Sequence, residues 1–347
     1  MMGTAVGLIA AIAVVAALDY ASTVFAPVAF AIFIIAIVWP LQRELQARLP
    51  RLIALAIVMA VTAATFVAFG SLIGWAFGRI GRALIAGAAQ FQGLYEQLTA
   101  WLEGHGIVVA SLWAEHFNVG WLIRTAQGVT SRVNTTMSFW LVVLVYVLIG
   151  LLEVDDARAK VAALQNRDAA RVVLDGSAAM ASRFRRYMLV RTLMSVMTGV
   201  LVWAFATLMG LPLALEWGAI AFVLNYIPFI GPFVATVLPT LYALAQFASW
   251  QAAVVLFSGL NLIQFAVGSY IEPRVAGNVL AMSPFVVLFA VFAWMFLWGI
   301  AGAFIGVPIT IAAIAFCAQH PKSRWIADLL GSPKRPSAQS VDEAPAG

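Results

Sequence analysis

"NYIPFIGPF", residues 225–233, interrupts a run of roughly thirty mostly apolar residues with two prolines and a glycine. A proline inside a helix removes a backbone donor and crowds the carbonyl four residues back, at about 3 kcal/mol or more. Each new helix end leaves up to about four donors or acceptors without a partner. At membrane depth such groups cost several kcal/mol apiece unless protein, water or an ion satisfies them. The stretch is therefore expected to be a helix break that lines a cavity, with Asn225, Pro228, Gly231 and Pro232 at its lip. Discontinuous helices of this kind form cargo and ion sites in many transporters.

The surroundings make membrane depth the right setting. The chain has 347 residues, 63% hydrophobic and 10% charged, with a mean hydropathy of +0.98. A soluble domain carries about 25% charged residues. Runs long enough to cross a bilayer as helices, about 20 residues each, recur throughout. They are continuous rather than alternating, which excludes a β-barrel. The fold class is all-α: a polytopic helical membrane protein of about eight hydrophobic segments, with broken or re-entrant helices in the C-terminal half. The single cysteine, Cys317, rules out an internal disulfide, and the three scattered histidines form no metal or triad constellation. No phosphate-binding loop, zinc signature or nucleophile elbow occurs, so neither cofactor nor catalytic residue is expected. The net charge of +5 falls in loops between apolar runs, which argues against nucleic acid as a partner.

Along the chain, 4–18 and 21–40 are two apolar runs parted by "DY", with Asp19 as a wetted turn residue. No basic residue precedes Arg43, so the first run is expected to be retained. Residues 52–78 form a third span and 136–152 a fourth. Between them, 79–135 is expected to be an amphipathic excursion, since Leu84, Ala88, Phe91, Tyr95, Leu98 and Leu102 paint one helical stripe. Residues 153–187 carry seven basic and five acidic residues and should be a solvent-facing helical connection. A fifth span covers 188–209, followed by 213–247, 249–268 and 284–318. Residues 1–330 make one membrane domain, and the tail 331–347 is expected to be disordered. Trp39, Trp75, Trp121, Trp217 and Trp250 near predicted span ends suit an interfacial belt.

Placing 41–51, 153–187 and the tail in the cytoplasm, with Arg191 counted among them, gathers fifteen of the twenty basic residues. The positive-inside rule then puts both termini there. The C-terminal third threads in two ways: as spans with "EPR" (272–274) outside, or as two re-entrant hairpins with "EPR" inside. Segment length favours the hairpins.

Two further features bear on chemistry. Asn261, Gln264, Glu272 and Arg274 are polar groups in an otherwise apolar region, and such groups mark pathways. Pro273 separates Glu272 from Arg274, so the two need not pair. "GPFVATVLPT" (231–240) is also echoed by "GAFIGVPIT" (302–310), the trace of a repeat-built architecture. Pro239, Pro273, Gly277, Gly302, Gly306 and Pro308 are the candidate hinge positions.

From Glu216 to Thr310 the chain resembles the autoinducer-2 exporter family of bacterial permeases. The resemblance rests on Asn225 to Gly231, Glu272 to Gly277, Ser283–Pro284 and Gly299 to Pro308. Pro232 stands where relatives commonly carry a small polar residue. The resemblance implies an inner-membrane secondary transporter, exporting a small polar solute such as autoinducer-2 and coupled to protons or sodium. It also implies a homo-oligomer in the lipid bilayer, a pentamer being one such assembly. An ion channel, a sodium/proton antiporter and a non-transporting oligomeric scaffold are the alternatives.

Overall fold

The fold is described from a computed structural model covering residues 2–87, 90, 92–93, 100, 103–104, 119–276, 282–320 and 323–331. Among these residues every regular element is helical, and seven helices are long and apolar enough to cross a membrane. Helix α1 spans Met2–Tyr20, and α2, Ser22–Gln46, follows after a turn at Ala21. Helix α3, Arg51–Ala86, opens behind Pro50 and runs past the expected span end. Helix α4, Val119–Ala162, and α5, Arg167–Leu208, are longer still. The polar 153–187 segment is a helical connection continuous with the spans on either side. It consists of the ends of α4 and α5 around a short turn, where the Asn166 side chain caps α5 through Ala169 N. Of the expected excursion, 79–86 continues α3 and 119–135 begins α4; Ala88, Phe91, Tyr95, Leu98 and Leu102 lie outside the described residues, as do Gly277 and the tail beyond Gly331.

Aromatic packing binds the first helices together. Phe30 of α2 meets Phe139 and Trp140 of α4 edge-on, both at 5.4 Å, and Phe66 of α3 stacks on Trp140 at 4.4 Å. Edge-to-face and offset contacts of this kind suit the ring quadrupole. Gln42 donates to Leu151 O, Arg51 to Leu152 O and Arg185 to Ala36 O. These bonds set the 42–51 turn, the end of α4 and the start of α5 at one end of the bundle.

The 213–247 segment is two helices, α6 (Ala214–Leu224) and α7 (Ile230–Phe247). They fold back on each other: Gly231 lies against Leu224, and the rings of Trp217 and Tyr242 are 5.5 Å apart. This hairpin is rooted at the far end of the bundle, where Glu216 pairs with Arg79 late in α3 at 2.9 Å. The return path is α8, Trp250–Phe265, a π-helical segment at Ala266–Ile271, and the short α9, Glu272–Ala276. Helix α10, Pro284–Cys317, contains a second hairpin. Trp298 and Gly299 leave helical geometry, with Gly299 at φ 62°. A Cβ on Gly302 would lie 1.8 Å from Trp294 O, and one on Gly306 would lie 2.9 Å from Ala290 O. That reversed order is antiparallel packing of 284–297 on 300–317. Its feet lie at the 42–51 end, since Phe316 sits against Gly176 of α5 and Met282 bridges to Gly331 after α11, Arg324–Leu330. The two hairpins therefore enter from opposite ends, and the threading with "EPR" at the 42–51 end is the one adopted.

One core, around Phe30, Val58, Val143, Val147, Ile305 and Ile311, joins α2, α3, α4 and the second hairpin. A second, around Val202, Ile220, Tyr242, Leu256 and Leu260, joins α5 to the first hairpin and α8. Trp217 belongs to this second core. It is buried and its indole donates to Pro212 O, so it is not part of an interfacial belt.

The three non-glycine residues with positive φ among the described residues are Leu213, Phe229 and Ala248. They mark the two feet and the tip of the first hairpin. Such a conformation costs an L-residue roughly 1–2 kcal/mol. Ala248, exposed and at φ 46°, follows the last turn of α7, where glycine is the usual residue. Ala248→Gly is expected to raise the thermal midpoint by an amount equivalent to about 1 kcal/mol. A lowered midpoint in detergent would show that this foot is not strained.

Candidate functional site

The tip of the first hairpin is a tight turn that satisfies much of its own backbone. Ile227 N donates to Leu224 O, Ile230 N to Pro228 O at 2.7 Å, and Gly231 N to Ile227 O. The bond from Ile230 to Pro228 closes a γ-turn on Phe229, whose φ of 63° and ψ of −53° fall in its rare, strained form. The expectation of loose backbone groups in search of water is corrected here for these amides, because the three-residue γ-turn lets carbonyls and amides meet inside the loop. Polar side chains tie the tip to its neighbours instead.

Asn225, buried, donates its amide to Ser195 Oγ at 3.3 Å, and the Tyr226 hydroxyl donates to Thr192 Oγ1 at 3.0 Å. Both acceptors lie on α5. One turn nearer the 42–51 end, Arg191 holds both oxygens of Glu272 at 3.2 Å from Nη1. Its guanidinium also lies over the Tyr187 ring, 5.9 Å from the centroid. Tyr187, Arg191, Thr192, Ser195 and Thr198 thus form a polar column along about 16 Å of α5, at 1.5 Å per residue. Arg191 lies six residues beyond Arg185, about 9 Å further into the bundle. It is 8% exposed, so it belongs with buried charges rather than with the basic loops. A buried charge persists only when paired and hydrogen-bonded.

The geometry around Glu272 follows from local sequence. Pro273 would crowd the carbonyl of Ser269 in an α-helix. The π-helical widening at Ala266–Ile271 immediately before it gives the ring room. Glu272 is thereby turned onto α5, and Arg274 is turned away. Arg274 is exposed and folds over the Tyr270 ring while donating to Tyr270 O at 2.9 Å.

The other expected residues divide in the same way. Asn225, Pro228 and Gly231 are buried at the tip, with Pro232 half-buried beside them. Gln264 is half-buried on α8 with its amide nitrogen enclosed. Asn261 is exposed and donates to Phe257 O within its own helix. Pro239 and Pro308 are buried in the second arms of the two hairpins. Each is closely followed by a threonine that bonds four residues back, Thr240 to Thr236 O and Thr310 to Gly306 O. Arg191, Ser195 and Thr198 carry the column and are not among the candidates that the sequence offers. Their spacing within "RTLMSVMTG" (191–199) places all three on one helical face, which was the available signal.

The echo between 231–240 and 302–310 has a structural meaning. A Cβ on Gly231 would lie 1.8 Å from Leu224 O, the same distance that separates a Cβ on Gly302 from Trp294 O. In each hairpin the glycine is where the second arm presses on the last carbonyls of the first.

Long apolar helices, two hairpins inserted from opposite ends, and a buried polar column where one hairpin tip meets a crossing helix define a multi-pass membrane transport protein. The chain belongs to the AI-2E transporter family, whose sequence profile matches residues 7–322. It is 29% identical over 318 residues to the AI-2 transport protein TqsA of Escherichia coli (strain K12), covering 90% of each chain. It is also 26% identical over 313 residues to YrrI of Bacillus subtilis (strain 168), covering 83% of this chain and 84% of that one. With YhhT of Escherichia coli (strain K12) it shares 34% identity over 154 residues, 44% of this chain and 43% of that one. The last two are each described as a candidate transport protein.

Proposed function

We propose that the protein is a secondary transporter that moves a small polar solute such as autoinducer-2 across the bacterial inner membrane, driven by a proton or sodium gradient. The observation that carries this reading is the attachment of the broken hairpin's tip to α5. Asn225 and Tyr226 hold it there beside a buried Arg191–Glu272 pair. Two hydrogen bonds and a γ-turn can be released and remade without unfolding a helix. A hairpin held this way can therefore uncover the column to one side at a time. Glu272 is the carboxylate we assign to ion coupling, because protonation or a bound cation would loosen its hold on Arg191.

In this reading both termini lie in the cytoplasm, on the side of the basic 42–51 turn. The protein also works as a homo-oligomer. Asn261, a polar side chain exposed on a spanning helix, is better accommodated against a neighbouring subunit than against lipid.

The test is uptake and efflux in proteoliposomes with imposed proton or sodium gradients. Asn225→Ala and Glu272→Gln are each expected to slow transport at least tenfold when compared at equal amounts of assembled protein. Wild-type rates in both would remove the column from the pathway.

A further inference from the structure

Six threonines on the described helices follow one habit: Thr62, Thr65, Thr207, Thr236, Thr240 and Thr310 each donate to the carbonyl four residues back. Thr198 breaks it. It is fully buried, yet its hydroxyl has no partner among the described residues. The amide nitrogen of Gln264 is likewise buried without a partner. A buried polar group left unmade is costly and calls for an explanation.

The contacts on either side place the two unpartnered groups at about the same level of α5 and α8. Arg191, Thr198 and Phe205 recur every seven residues, on one face of α5. Arg191 touches Glu272 at one end of this face, and the Phe205 ring packs on Gly259 at the other. Helical periodicity turns Thr198, midway between them, towards α8. Gln264 lies between Gly259 and Glu272 in sequence, and interpolation between those two contacts sets it about level with Thr198. Helices α7 and α8 run antiparallel from a two-residue turn at Ala248 and Ser249, which sets Gln264 level with residues 232–233 at the hairpin tip. Ser195 and Asn225 close the seam on its third side.

We propose that Thr198 and Gln264, with Arg191, are cargo-contacting residues of a recognition site for a small molecule rich in oxygen acceptors. This inference rests on reading the chain as a permease. The available groups are mostly donors: the Gln264 amide nitrogen, the Arg191 Nη2 (which donates to no described residue), and the Thr198 hydroxyl, which both donates and accepts. Carbonyl and hydroxyl oxygens match that set, whereas an ammonium group or a bare metal ion does not. With Thr198 and Ser195 fully buried, cargo reaches them only when the first hairpin withdraws from α5.

Thr198→Val keeps the shape and deletes the hydroxyl, and Gln264→Leu deletes the amide. Titration calorimetry on the purified full chain, with autoinducer-2 as the probe and D-ribose and sodium chloride as comparisons, reads the outcome. Each variant is expected to bind autoinducer-2 at least tenfold more weakly, while Thr198→Val melts at the wild-type temperature or above it. If both variants bind as wild type while wild-type vesicles transport, the inference is overturned and the permease reading stands. A sodium-dependent rise in melting temperature that Thr198→Val abolishes would make this a cation site and overturn it as well. Wild-type vesicles that move none of the oxygen-bearing solutes would sink both readings together.

Discussion

Arg191→Met is expected to lower stability by about 3–5 kcal/mol, the usual result of leaving one partner of a buried ion pair without the other. Glu272 would then face the α5 column with no counter-charge, at a position where 14% of its side chain is exposed. Adding Glu272→Leu should return most of the lost stability, because an apolar pair of similar volume removes both the attraction and the desolvation penalty. Thermal melts of the two single variants and the double variant in detergent read the coupling energy directly. Transport separates structure from function here: the double variant should fold well and still fail to move cargo. If it transports normally, the ion pair is only a structural clasp between α5 and α9. If Arg191→Met alone melts with the wild type, the pair is not closed as described.

The second large effect concerns the glycines beneath the hairpin tips. Gly302→Ala and Gly231→Ala each place a methyl group 1.8 Å from a backbone carbonyl oxygen, inside van der Waals contact. No side-chain rotation relieves a clash with the main chain, so the two arms must separate. The cost should exceed the ~1–3 kcal/mol of ordinary overpacking. Both variants are expected to yield little monodisperse protein on size-exclusion chromatography. Gly74→Ala on α3, where an added methyl meets nothing within 4 Å, is the matched control and should behave as wild type or slightly better. Normal yield and melting of Gly302→Ala would mean that the arms of α10 do not pack as tightly as described.

Much of this architecture is legible in the sequence, for identifiable reasons. Proline and glycine act on the backbone locally, so the break at 225–233 and the echo at 302–310 were visible as punctuation. The length of 213–247 and 284–318 then pointed to hairpins. What punctuation could not show was how the turn would satisfy its own amides, because that depends on the γ-turn at Phe229. Arg191 is hidden in the sequence for a different reason. A basic residue near the start of an apolar run resembles a positive-inside anchor, and its partner is 81 positions away in sequence. Periodicity places Arg191, Ser195 and Thr198 on one face, but only packing shows that the face is turned inward. Arg274 and Asn261 stand out in the sequence by polarity alone, and each donates to a carbonyl four residues back along the chain.

Helices α4 and α5 have 44 and 42 residues, so each is more than 60 Å long at about 1.5 Å per residue, roughly twice the hydrocarbon thickness of a bilayer. Charged residues of 153–186 occupy the helix ends that meet at 163–166, so this turn lies outside the apolar spans on two helices that continue unbroken into the membrane. A small rigid domain grafted there would move as one body with α5. It would give electron microscopy a fiducial whose tilt reports directly on the helix that carries the polar column.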